Sequence, residues 1–353
     1  MNRVIDFFKD DPVIYLSLFI LLSMSVFILN SIAPDLFPQY YLFIFLGVAA
    51  LFFFLKVDFE LLKGLSLHFY ILSVVLLLIT LAIGQITRGT IRWIPLGGLT
   101  LQPSEIIRPF LLLFFASYLA EKKLTGKRFI NLIVMVLVPT LLIFVQPSLG
   151  VAIITFVGFL GVLISSDLKR KNYVLVAASL LIVLPIVWMK LADYQKQRIV
   201  TFVNPYADPQ GAGYNSIQSM IAVGSGRLSG RGLGKGVQTQ LRFLPEKHSD
   251  FIFASIAEEL GFAGASIILV AVFAILFRLV EIMKSCRDKV KIAFLSGLVV
   301  VFLAESVIHI GMNLGLLPIT GIPLPFVSAG GSSFLASMIS IAVALRIKRE
   351  IVV

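Results

Sequence analysis

Between Phe129 and Ser166, and again between Ser306 and Leu345, the chain runs for almost twice the ~20 residues that a bilayer-spanning helix needs, without one Asp, Glu, Lys or Arg. A backbone in hydrocarbon must satisfy its own polar groups, so such runs have to be helical. Prolyl turns divide them, at Gln146-Pro147 in the first and from Pro318 to Pro325 in the second. Shorter uncharged runs cover Pro12 to Pro34, Leu36 to Leu55, Gly64 to Thr87, Asn172 to Met189 and Leu260 to Phe277. Two further apolar segments hold isolated ionisable residues: Glu105 and Arg108 in Pro103 to Ala120, and Glu305 and His309 in Ile292 to Met312. The pattern predicts an all-α polytopic membrane protein with ten transmembrane helices, at about 13–33, 37–55, 65–86, 103–120, 129–146, 148–166, 172–189, 251–278, 292–312 and 325–345. With 58% hydrophobic residues, 14% charged residues and a mean hydropathy of +0.99, a water-soluble globule is excluded: the charge is too sparse to coat it.

Lys and Arg outnumber Asp and Glu by 30 to 19, a net charge of +11 that elsewhere would suggest nucleic acid. Their placement says otherwise. Nineteen cations fall in the termini and the loops on the same side as the termini, against three, Arg88, Arg92 and Arg108, in the short loops opposite. The positive-inside rule therefore predicts both termini in the cytoplasm and leaves no basic patch for nucleic acid. The first apolar run is long enough to span and lacks a small-residue cleavage site, so it reads as a helix rather than a cleaved signal. Cys286 is the only cysteine, and the three histidines are widely separated, which excludes a disulfide and a Cys/His metal cluster.

About sixty residues, 190–250, form the one substantial water-facing segment, an extracytoplasmic loop between the seventh and eighth spans. Ile217, Met220 and Ile221 recur at helical spacing and predict a helix lying on the membrane surface. The run Gly224 to Gly236 follows, with six glycines and with Arg227, Arg231 and Lys235 at every fourth place. It matches neither a P-loop nor a dinucleotide fingerprint. Two readings stay open: a solvated hinge, or a flexible backbone whose three charges approach phosphate.

Asp250 stands at the mouth of the eighth span, where it is either a helix cap or a reactive carboxylate. Glu258 lies ~80° round the helix from it and Glu259 nearly opposite, so helical spacing puts only Glu258 on its wall. Carboxylates in a bilayer mark functional or water-lined sites by default, which directs attention to Glu105, Arg108, Glu258, Glu259, Glu305 and His309. Spacing allows Glu105 to pair with Arg108 and Glu305 with His309 along single helix faces, as structural pairs or as parts of a site.

Taken in order, Arg92-Trp93-Ile94, Gln102-Pro103-Ser104-Glu105, Asn204-Pro205, Asp208-Pro209, Gly213-Tyr214-Asn215, Gln218-Ser219, Gly232-Leu233-Gly234, the run Leu244 to Gly264, and Thr320-Gly321-Ile322-Pro323-Leu324-Pro325-Phe326 resemble the SEDS family (shape, elongation, division and sporulation) of bacterial cell-wall proteins, which includes RodA, FtsW and SpoVE. Gly236-Val237-Gln238, Phe243-Leu244-Pro245 and the short N-terminus look most like the RodA branch. The resemblance implies the SEDS fold and a peptidoglycan glycosyltransferase that joins lipid II units into glycan strands at the outer face of the cytoplasmic membrane, in cell elongation or, as in FtsW, division. Asp250 matches the essential carboxylate, the expected general base on the acceptor hydroxyl. Trp93, Gln102 and Glu105 match further family positions. Arg108, Ser148 and Ala329 depart from the family's usual Lys, Asp and aromatic residue. By charge, Arg227, Arg231, Lys235 and Arg242 are candidates for holding the substrate pyrophosphate, with Arg108 and Glu258 beside them. Expected partners are a class B penicillin-binding protein transpeptidase and membrane proteins of the elongation machinery. No cofactor is assigned, and a divalent cation ligated by Asp250 and Glu258 is left open. The rival readings are a transporter or flippase of lipid-linked precursor, and a non-catalytic scaffold.

Overall fold

A computed structural model describes residues 10–87, 90–96, 99–121, 125–166, 174 and 188–352. The expected seventh span, 172–189, lies almost wholly outside them. The chain forms α1 (Pro12–Ile32), α2 (Phe37–Phe54), α3 (Phe59–Gly64), α4 (Ser66–Ile83), strands β1 (Gln85–Thr87), β2 (Thr90–Leu96) and β3 (Leu99–Leu101), then α5 (Pro103–Ile106), α6 (Arg108–Glu121), α7 (Gly126–Val145) and α8 (Leu149–Ile164). After these come α9 (Asp193–Val203), α10 (Tyr214–Gly226), α11 (Val237–Gln240), α12 (Ile252–Ser285), α13 (Lys289–Asn313) and α14 (Gly331–Val352). Eight helical segments among the described residues are long and apolar enough to cross a membrane, and α8 is a shorter apolar helix. The protein is a multi-pass membrane protein.

Local chemistry places the helix starts. Asp11 accepts from Ile14 N at 3.2 Å with Pro12 in the first turn of α1, and Asp288 accepts from Val290 N and Lys291 N at the start of α13. Small residues allow a close helix contact. A Cβ on Gly161 of α8 would lie 2.9 Å from Gly297 Cα of α13, and Ser296 Oγ donates to the Gly161 carbonyl at 2.7 Å. This seam holds α13 against α8 and α6, while α14 packs along α2.

Three features depart from the sequence expectation. A small antiparallel meander, β1-β2-β3, follows α4, pairing Gln85 with Trp93 and Ile94 with Leu101, because the β-branched and aromatic segment Thr90–Leu96 leaves the helical stack after Gly84. The last helix begins at Gly331 rather than near 325, since Pro323 and Pro325 keep the preceding chain extended and Phe326 takes φ 63°. The third is a break in α12: Gly261 adopts φ 67° and ψ −163° and splits it in two.

The break also gives the helix its height. At one end Asp11 accepts from Arg278 NH2 at 2.9 Å, and at the other Ser31 Oγ donates to Glu259 Oε2 at 2.6 Å. Along α1 these ties are about 30 Å apart, the thickness of a hydrocarbon core. The stretch of α12 from Leu260 to Arg278 matches that thickness, and Phe251 to Glu259 form a separate, wholly buried segment on the other side of the Gly261 break.

Candidate active site

Asp250 precedes that buried segment, half-exposed, at the C-terminal end of α13. Its backbone is fixed from three sides. Asn313, fully buried in the last turn of α13, donates through Nδ2 to the Asp250 carbonyl at 3.0 Å and accepts at Oδ1 from Ala254 N at 3.0 Å. Ser328 Oγ donates to the Ser249 carbonyl at 2.9 Å, and Ala329 N donates to the His248 carbonyl at 3.0 Å. The carboxylate itself lies against Gly321, where a Cβ would stand 3.5 Å from Asp250 Oδ2. Gly321 holds φ 73°, so the turn beside the acid is open because glycine makes it.

Arg92 lies within electrostatic range of Asp250 and Glu105; burial pulls its guanidinium below its ordinary value, and those carboxylates push it back up. Successive side chains on β2 point to opposite faces, so Arg92 and its neighbour Trp93 lie on different sides of the strand. Trp93 is half-buried on the other face. Sequence reading had Arg92 in a motif but gave it no role; the alternation of a strand, unseen when the segment reads as loop, was the signal.

Glu105, buried at the start of the α5–α6 span, lies within electrostatic range of Arg108, Glu305, Arg92 and Asp250. Gln102 accompanies it: its amide donates to Ser104 Oγ at 3.2 Å and Ser148 Oγ at 3.4 Å, and its backbone N–H donates to Ser332 Oγ at 2.8 Å. The expected pairs along single helices do not form. Arg108 pairs across the bundle with Glu305, and His309 turns Nδ1 to the Ile322 carbonyl at 2.8 Å. Both partners of the ion pair are buried, and a cross-helix contact neutralises them together while tying α6 to α13. Ser148, small and neutral, leaves Glu305 as the counter-ion. Arg108 Nε, Glu305 Oε2 and His309 Nε2 are buried with no hydrogen-bond partner among the described residues, so polar atoms are concentrated in the bundle interior where α6 meets α13.

Glu258 faces away from this site. Its oxygens accept from Gln238 N at 2.8 Å and Thr239 N at 3.0 Å, capping α11. Glu259 accepts from Gln240 Nε2 at 2.7 Å and from Ser31. Both carboxylates hold the loop. No group of three or more His, Cys, Asp or Glu suited to a metal occurs among the described residues, and Glu258 is occupied, so the Asp250–Glu258 pair does not fit a cation.

The glycine-rich run has a definite task as well. Arg231 N and Gly232 N donate to the carbonyls of Glu258 and Glu259, while Phe262 N and Ala263 N donate to the carbonyls of Arg227 and Leu228. The loop thus satisfies the backbone groups that the Gly261 break leaves unpaired. A Cβ on Gly230 would meet Glu259 O at 2.1 Å, and one on Gly226 would meet Ala257 O at 1.7 Å, so glycine is required for close backbone approach. Arg227, Arg231 and Lys235 consequently sit at the break, about 16 Å along the helix from Asp250, and not around it. Arg242 is exposed beside Lys247, whose ammonium is pulled down by burial and by that neighbour. α10 docks on α12 and α13 through Ser216, Ser219 and Ala222, with Ser219 Oγ donating to Asn313 O at 2.9 Å, rather than through Ile217, Met220 and Ile221.

The family model described as cell cycle protein, for FtsW, RodA and SpoVE, matches residues 11–352. The chain belongs to that family. Among its FtsW/RodA/SpoVE relatives, the peptidoglycan glycosyltransferase MrdB of Escherichia coli is 37% identical over 292 residues, covering 81% of this chain and 78% of MrdB. A probable peptidoglycan glycosyltransferase FtsW of Aliivibrio salmonicida is 32% identical over 320 residues, 88% of this chain and 79% of that protein. A chain from a peptidoglycan synthase complex, solved for its coordination of polymerization and crosslinking, superposes with TM-score 0.82 at 28% identity over 97% of this chain and 98% of that one. The rod shape determining protein RodA of Thermus thermophilus superposes with TM-score 0.74 at 25% identity, over 96% and 97% of the two chains.

Proposed function

We propose that this chain is a RodA-like peptidoglycan glycosyltransferase that joins lipid II units into glycan strands. The single observation that carries the reading is Asp250: a half-exposed carboxylate, its backbone held by Asn313, Ser328 and Ala329, within electrostatic range of Arg92 at one end of the bundle. The family's glycosyltransferase names support it.

In the proposed reaction a sugar hydroxyl attacks the anomeric carbon of the donor. The new C–O bond forms as the bond to the lipid pyrophosphate breaks, and the hydroxyl proton passes to Asp250. Arg92 faces the charge developing on the departing pyrophosphate. Glu105, Gln102 and the Arg108–Glu305 pair supply buried polar groups behind Asp250, Trp93 lies on the other face of β2, and Arg242 with Lys247 adds positive charge nearby. In this reading the site faces outward and both termini are cytoplasmic, and the cation asymmetry supports it. A class B penicillin-binding protein is the proposed partner, supported by the likeness to the synthase-complex chain, along with other elongation proteins.

The test is purified protein supplied with lipid II in detergent, alone and with that transpeptidase. Glycan polymer is the expected product. Its absence under both conditions, with lipid II instead translocated in vesicles, would establish the transporter reading.

A further inference from the structure

The loop that clasps the Gly261 break keeps its backbone inside and leaves its side chains outside. Arg227, Arg231 and Lys235 are exposed, and so are Ile221, Leu228 and Leu233, Leu228 to 77%. Hydrogen bonds fix its height: Gly234 N donates to Ser31 Oγ at 2.9 Å in the last turn of α1, which in turn donates to Glu259. They also fix its side. Arg227 and Leu228 accept from Phe262 and Ala263, which are themselves exposed at the head of the membrane stretch of α12, where an uncovered helix face meets lipid.

Apolar side chains and cations therefore alternate along one collar at the boundary between acyl chains and headgroups. Its charge has one sign. No Asp or Glu occurs between Asp208 and Glu246, Glu258 and Glu259 are fully buried and hydrogen-bonded inward, and Asp35, exposed four residues beyond Ser31, belongs to the turn after α1 rather than to the loop. The Arg231 and Gly232 amides are already used by helix carbonyls, so the loop offers side-chain charge to a surface rather than a backbone cradle to one phosphate.

We propose that this collar binds anionic phospholipid of the leaflet on the Asp250 side. By gripping the headgroups it holds the loop on the break and so sets the height of the buried segment that begins at Asp250. The protein surface would then respond to bilayer charge at a place the reaction does not touch.

The test uses the full chain in nanodiscs that contain phosphatidylglycerol and phosphatidylcholine, with lipid retention read by native mass spectrometry. Wild type is expected to retain phosphatidylglycerol preferentially, and the triple variant Arg227→Gln, Arg231→Gln, Lys235→Gln to lose that preference by roughly tenfold or more, at unchanged melting temperature. A bimane on Leu228→Cys, in a Cys286→Ala background, is expected to be quenched by brominated lipid and protected from iodide; this reading holds even if the triple variant does not fold. Equal retention of the two lipids by wild type overturns the proposal. So does quenching by iodide alone, which would mark a water-facing surface for a protein partner. Retained phosphatidylglycerol with lost polymerisation in the triple variant would likewise overturn it and return these cations to the substrate.

Discussion

Arg92 and Asp250 interact electrostatically in partly buried surroundings, where a charge is screened less than at an open surface. If Arg92 faces the departing pyrophosphate, removing its charge should slow chemistry more than binding. Arg92→Gln is expected to lower the polymerisation rate about a hundredfold with a smaller change in KM, measured on lipid II at saturating and limiting concentrations. An equal rate would remove Arg92 from the site. The Asp250 position was legible because a motif brought it to the helix mouth, and helix geometry alone left a cap equally open. Arg92 was not: Thr90–Leu96 has strand-forming residues, but nothing in it says that the segment is paired or which side chain lies near Asp250 until the meander forms.

Among the elements, two devices hold the site together. The first is the clasp: Gly230→Val would drive side-chain atoms into the Glu259 carbonyl from a backbone at φ 81°, and is expected to lower the melting temperature and loosen protease protection of the loop. The second is the ion pair between α6 and α13. Glu305→Gln leaves Arg108 buried and uncompensated and should destabilise by about 3–5 kcal/mol, whereas Arg108→Met with Glu305→Leu should recover most of that loss. A double variant as unstable as the single one would show that the pair is not the reason. The helical stretches were legible because charge is so scarce in them. Which residues pair across helices was not: Glu105 with Arg108 obeys local spacing, but burial rewarded the distant partner Glu305. The glycines misled for a related reason, since a run read as suited to phosphate is used for backbone contact with a broken helix.

At the scale of the molecule, the charge of the bundle is concentrated at two levels about 30 Å apart, with hydrocarbon-matched surface between. At the lower level Asp11 joins α1, α12 and α14. Burial pushes its carboxyl up, but hydrogen bonds from Arg278 and Lys348 outweigh this and hold it below its ordinary value. A lowered folded value means that the stability is present at neutral pH and is lost as the pH falls through that value. The gap in melting temperature between wild type and Asp11→Asn, open at pH 7, should close below about pH 4; a gap constant with pH would contradict the assignment. The upper level carries Asp250, and there the reading of the whole protein is decided. The most direct measurement compares the initial rate of glycan formation from lipid II by wild type and Asp250→Asn at matched melting temperature. A fall of at least a hundredfold is predicted for loss of the proton acceptor, and strands made by the amide variant at the wild-type rate would contradict the account.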